Sequence, residues 1–265
     1  MNLHGLENAS NIRSLARFNF VAGLPRSGRS LLCALLRQNP RFVATTNSPA
    51  KAVFAQIRDL TQTGAIAREI LAPAQKSALL RGTIDAVFHD RPLDSTVFDA
   101  NPDWLGHTDA LVRLYPLCRF IICVRNPAAI VNSLQLAGPL PADGGNLANR
   151  VARLMAADGM VGAEIGHLRD ALSGAHAERM FVLDYDRLAD DPEEVMDVLY
   201  EFLREPEFPH DFHEIGDEAA GFSGPVQRSD RPMALSTRMI LQLSGRAFWR
   251  NLRRTSATMM LGRSR

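Results

Sequence analysis

Apolar residues along this chain fall into short continuous blocks separated by longer amphipathic stretches. FNFVAG (Phe18 to Gly23), STVFDA (Ser95 to Ala100), RFIICV (Arg119 to Val124) and ERMFVLDY (Glu178 to Tyr185) are four such blocks. Each is bounded by turn residues, and each predicts a buried strand. Between them the apolar residues recur with helical spacing. SLLCALLRQNP (Ser30 to Pro40) predicts a helix stopped by proline, and residues 50–90 predict helical structure broken at Pro73. DWLGHTDALVRLYP (Asp103 to Pro116), the segment opening at Asn126-Pro127, a long segment running to about Leu172, and the one opening at Asp191-Pro192 complete the helical set. AGPLPADGGN (Ala137 to Asn146) predicts a flexible break. Strands alternating with helices imply βαβ units, a central parallel sheet and a three-layer α/β domain. One domain is expected over residues 1–265. Residues 206–234 read as surface loop, and the end of the chain as a basic helix or tail. In such sheets ligands bind beyond the carboxyl ends of the strands, so the residues that follow each strand carry the functional reading.

Composition narrows the class. The chain has 265 residues, 46% hydrophobic and 22% charged, which excludes wholesale disorder. Thirty basic residues against 29 acidic ones leave a formal charge of +1, unlike a general nucleic-acid binder. No apolar run reaches the roughly 18 residues of a membrane span, and the first residues lack the pattern of a signal peptide. Three cysteines without CxxC spacing point to a reducing, cytoplasmic setting and away from a zinc site. Only Lys51 and Lys76 are lysines, so the basic charge is almost all guanidinium, the planar fork suited to oxyanions. Six arginines and no acid lie between Arg246 and Arg265.

The candidate chemistry begins at GLPRSGRS (Gly23 to Ser30), between the first strand and the first helix. It follows the phosphate-loop spacing except that Arg29 stands in place of lysine. Glycines that allow close approach, loop amides and a helix N-terminus suit an anion, and Arg26 and Arg29 add charge. A second such place is RFIICVRNPAAIVNSL (Arg119 to Leu134), where Arg125 ends a strand and Ser133 lies in the following helix.

GLPRSG with RSLL and RQNPRF resembles the 5′-phosphosulfate loop of bacterial sulfotransferases that use 3′-phosphoadenosine 5′-phosphosulfate (PAPS). Arg26, Ser27, Gly28 and Ser30 match, and Arg29 stands where a small hydroxyl residue is usual. Arg125 and Ser133 resemble the same family's 3′-phosphate motif. FVLDYDRLADDPEEV resembles its later strand–loop–helix, which would set Tyr185 against the adenine. GPVQRSDRPM (Gly224 to Met233) weakly resembles a late basic loop, with Arg228 and Arg231 toward the 3′-phosphate. The resemblance implies a P-loop-type fold, PAPS as donor with PAP as product, no metal requirement, and a hydroxyl-bearing acceptor. The distant likeness to tyrosylprotein sulfotransferases, together with the basic tail, makes an acidic tyrosine-containing peptide the first acceptor to consider. For the acceptor's proton, Asp99 and His107 are the base candidates, and Arg26 faces the transferring group. Ala100 occupies the slot where relatives keep a lysine or histidine. Two other readings stay open. One is an ATP-dependent P-loop kinase with Asp99 supporting magnesium, and the other is a sulfotransferase-like module that has lost catalysis.

Overall fold

The computed structural model describes residues 17–46, 48–63, 70–136, 147–213 and 215. Its frame is a sheet of five parallel strands: β1 (Arg17–Gly23), β2 (Phe42–Thr46), β3 (Thr96–Ala100), β4 (Phe120–Val124) and β5 (Met180–Asp184), in the order β2-β3-β1-β4-β5. Helices link them: α1 (Arg29–Arg37), α2 (Ala50–Thr63), α3 (Pro73–Val87), α4 (Thr108–Leu114), α5 (Pro127–Leu136), α6 (Leu147–Met155), α7 (Gly162–Ser173), α8 (Tyr185–Asp190) and α9 (Pro192–Leu203). A 3-10 turn, Pro102–His107, joins β3 to α4.

Alternation along the strands divides the apolar residues between two cores, because successive side chains leave a strand on opposite faces. Phe18, Phe20, Ala22, Phe120 and Ile122 pack with Phe54, Trp104, Val131 and Leu168 on one face. Val21, Ile121, Cys123 and Leu183 pack with α1 and α9 on the other. A sheet covered on both faces must be largely apolar on both, which explains the apolar blocks at β1, β4 and β5, broken in β1 only by Asn19, whose Oδ1 accepts from the Arg119 N–H. The expected three-layer α/β class is therefore observed.

Three differences from the sequence reading have physical causes. β2 was not foreseen: VATT carries two threonines, and only two of the strand's five residues are fully buried. Its pairing with β3, Phe42 opposite Thr96 through Thr46 opposite Ala100, makes it an edge strand. The expected break at Pro73 is present, and the proline there opens α3 at the position where a missing N–H costs nothing. The single long helix to Leu172 is two, α6 and α7, joined through Ala156–Val161, with Val161 N–H donating to the Leu154 carbonyl. Tyr185 is not in the strand but begins α8, where the Asp184 carboxylate accepts from the Asp186 N–H at 2.9 Å. Arg228, Arg231, Ala137–Asn146 and the basic tail lie outside the described residues.

The chain leaves β1 toward the β2 side of the sheet and leaves β4 toward β5. That reversal opens a crevice between the carboxyl ends of β1 and β4. Gly23 sits opposite Cys123 in that pairing, and a Cβ on it would lie 2.1 Å from the Cys123 carbonyl oxygen. Its φ of 116° is likewise open to glycine and costly to other residues.

Candidate functional site

The turn after β1 is built to curl. Leu24 N–H donates to the Cys123 carbonyl at 3.0 Å, which ties the loop to β4. Ser27 is buried, and its hydroxyl donates to the Leu24 carbonyl at 2.6 Å, closing the loop on itself. Gly23 (φ 116°), Arg26 (φ 56°) and Gly28 (φ 92°) are all left-handed. Such residues interleaved in a turn direct N–H groups toward a common concavity. Positive φ at Arg26 is uncommon for a side-chain-bearing residue, and such strain concentrates at working sites. Gly28 precedes α1 and offers no side-chain cap, and the first turn carries no acid. The N–H groups there are left for an anion, with Ser30 exposed among them.

Residues from three loops meet at this turn. Arg26 Nε donates to Ser133 Oγ at 3.0 Å, across 107 positions of sequence. Arg125 Nη1 donates to the Arg26 carbonyl at 3.3 Å. The Arg125 guanidinium lies over the Tyr185 ring, 4.1 Å from its centroid. The same ring presses on Gly28, where a Cβ would come within 2.5 Å of Tyr185 Cδ2. Arg26, Gly28, Arg125, Ser133 and Tyr185 thus form one cluster. Tyr185 is only 5% exposed, with Arg125 on its face, so here it props the arginine. Arg125 is 92% removed from solvent, yet its Nε donates to nothing among the described residues. A buried guanidinium donor left unmatched costs about 1–3 kcal/mol or more, and an oxyanion would satisfy it.

The rim beyond β3 holds the other candidates. Asp99 is fully buried. Its Oδ1 accepts from Thr45 Oγ1 at 2.9 Å and its Oδ2 from Trp104 Nε1 at 2.8 Å. Burial pushes its carboxyl above the ordinary range, and hydrogen bonds from Ser48, Thr45 and Trp104 oppose that. It ties β2, β3 and the 3-10 turn together. His107 stands edge-on to Phe54 and Trp104, and its Nδ1 meets Arg58 Nη1. Burial, then the charges of Arg58 and Lys51, pull it down to about 4, so it is neutral near pH 7. With Nδ1 accepting from Arg58, the ring proton is on Nε2.

Three residues that the sequence did not place at this site, Lys51, Asp103 and Glu164, complete the rim beside Arg29. Lys51, in the first turn of α2, pairs with Asp103 Oδ2. Glu164 of α7 is nearly buried, and burial raises its carboxyl. Arg29 heads α1, and burial lowers its guanidinium while Glu164 and Asp103 act on it in the opposite sense. Lys51, Asp103 and Glu164 lie on three separate elements, and no spacing in the sequence marks them as neighbours. Among the described residues no group of three or more His, Cys, Asp or Glu side chains is placed to hold a metal ion.

The anion-shaped crevice can be set beside known proteins. A nodulation protein, NoeE, of Sinorhizobium fredii is 29% identical over 133 residues, covering 46% of this chain and 32% of that protein. The match thus spans about a third of that relative's length. The sulfotransferase domain of the Synechococcus PCC 7002 olefin synthase superposes with a TM-score of 0.57 at 16% identity, over 88% of this chain and 95% of that one. A sulfotransferase from Alicyclobacillus acidocaldarius does so with 0.53 at 17%, over 92% and 95%. At those identities the likeness establishes the fold. The sequence profile of the Sulfotransferase family matches residues 20–210, from β1 through the loop, Arg125, Ser133 and Tyr185 to the far side of the sheet, and the protein belongs to that family.

Proposed function

We propose that the protein transfers the sulfuryl group of PAPS to a hydroxyl acceptor. PAPS supplies an activated sulfuryl group on its 5′-phosphate. Arg26, Arg29 and the N–H groups of Ser27, Gly28 and Ser30 would bind that end, and Arg125 with Ser133 the 3′-phosphate. Tyr185 holds Arg125 in place, and Arg228 and Arg231 would add charge from the late loop. The observation that carries this reading is the buried, unmatched Nε of Arg125, one link away from the loop that Arg26 shares with Ser133. The guanidinium groups answer the negative charge without need of a loop lysine. The ATP-kinase alternative asks Asp99 to serve a metal, whereas its oxygens bind Thr45 and Trp104. Three free, buried cysteines accord with work in the cytoplasm.

For the acceptor, an acidic tyrosine-containing peptide is the first choice, in keeping with the six arginines between Arg246 and Arg265. The test is transfer of radiolabelled sulfate from PAPS to such a peptide, by the full chain and by a chain lacking residues 253–265. Label on the tyrosine, falling with salt in the full chain and less so in the shortened one, is expected, because steering is screened over about 8–10 Å. An unchanged rate and salt dependence after the deletion removes the tail from acceptor capture. Label on an uncharged alcohol in preference to the peptide removes the peptide.

A further inference from the structure

Forming a sulfate ester from a hydroxyl releases a proton, and a group on the acceptor side must take it. Asp99 is closed off beneath the rim with both oxygens engaged. His107 accepts from Arg58 with its Nδ1 lone pair, which leaves a donor N–H at Nε2. Neither has a basic lone pair turned to an incoming hydroxyl. Asp103 differs on each count. Its side chain is 47% exposed. Oδ2 is held by Lys51, while Oδ1 makes no hydrogen bond among the described residues. Its backbone is tied to the strand that leads into the donor loop: Asn101 N–H donates to the Val21 carbonyl on β1, and Asn101 Oδ1 accepts from Asp103 N–H at 3.1 Å.

The wall behind it bears on the same position. α7 packs on the 3-10 turn that carries Asp103 and brings Glu164 there. Glu164 Oε2 is buried with no hydrogen bond among the described residues, and His167 Nδ1 lies 3.8 Å from it.

We propose that Asp103 is the catalytic base that receives the acceptor's proton, with Lys51 as the positioning residue that fixes its other oxygen. This rests on the sulfuryl-transfer reading above. The acceptor oxygen forms its bond to sulfur as the bond from sulfur to the 5′-phosphate oxygen breaks. PAP departs with that electron pair, and the acceptor's proton passes to Asp103 Oδ1. No electron is gained or lost, and solvent later takes the proton.

The experiment compares two phenols as acceptors, with PAP release as the readout, at mildly alkaline pH. A tyrosine peptide keeps its proton there, since phenol groups of tyrosine ionise near about pH 10. 4-Nitrophenol is already largely ionised and needs no base. Asp103→Asn is expected to slow the tyrosine reaction by about 10²–10⁴-fold and the 4-nitrophenol reaction by a few-fold at most. Asp103→Glu should recover part of the tyrosine rate, and PAP affinity by calorimetry should be unchanged in both variants. Equal losses with the two phenols, or a tyrosine rate within a few-fold of the parent, overturn the assignment. A parent protein that binds PAP yet releases none from PAPS with either phenol refutes phenol sulfation, and the base assignment with it.

Discussion

Arg125 is the residue whose surroundings say most. It is buried, stacked on Tyr185, bonded once to the donor loop, and one of its donors has no partner among the described residues. Charge-assisted hydrogen bonds contribute about 1.5–3 kcal/mol. Arg125→Ala should therefore weaken PAP binding by roughly 10–100-fold in calorimetry, with a smaller effect on turnover at saturating PAPS. Arg26→Ala should do the reverse, since removing a donor aimed at developing charge costs about 10²–10³ in kcat. Equal turnover losses with unchanged PAP affinity would contradict the division of roles. Asp99 offers a second residue-level test. An asparagine there can turn its oxygen to Trp104 Nε1 and its amide to the Thr45 hydroxyl, which can rotate to accept. Asp99→Asn should keep the melting temperature near the parent's and retain most activity, whereas loss of a general base costs about 10²–10⁴ in rate.

At the level of elements, the site depends on how closely β1 and β4 approach. A Cβ on Gly23 would collide with the Cys123 carbonyl, which also holds Leu24 N–H, and the left-handed backbone there adds strain. Gly23→Ala should lower the urea midpoint by the equivalent of at least about 1–3 kcal/mol and weaken PAP binding with it, because the loop hangs from that hydrogen bond. An unchanged midpoint would mean that β1 and β4 can part without loss. This also explains what the sequence made legible. Gly23–Ser30 and Arg125–Ser133 stand where buried, largely apolar strands run out, so their places follow from local pattern alone. β2 was hidden because its burial depends on β3, which lies fifty residues away, roughly. The cluster of Lys51, Asp103 and Glu164 was hidden because α2, the 3-10 turn and α7 converge only through tertiary packing. Asp99 at the end of β3 and His107 in the turn that follows could be located from local pattern, while their hydrogen bonds to Trp104, Thr45 and Arg58 could not be read from spacing.

On the scale of the whole molecule, the sheet order sets the two turns proposed to bind anions side by side at one reversal point, and arginine supplies almost all of the chain's positive charge. A nucleotide with phosphates at both its 3′ and 5′ positions can reach both turns, and a linear triphosphate has its charge on one arm only. The most direct measurement is thermal unfolding with saturating PAP, without and with magnesium, against Mg-ATP. At about 100 times its Kd, PAP should stabilise the fold by about 2.7 kcal/mol, seen as a rise of several degrees that magnesium does not alter. Stabilisation by Mg-ATP with no response to PAP would contradict the donor assignment and favour phosphoryl transfer.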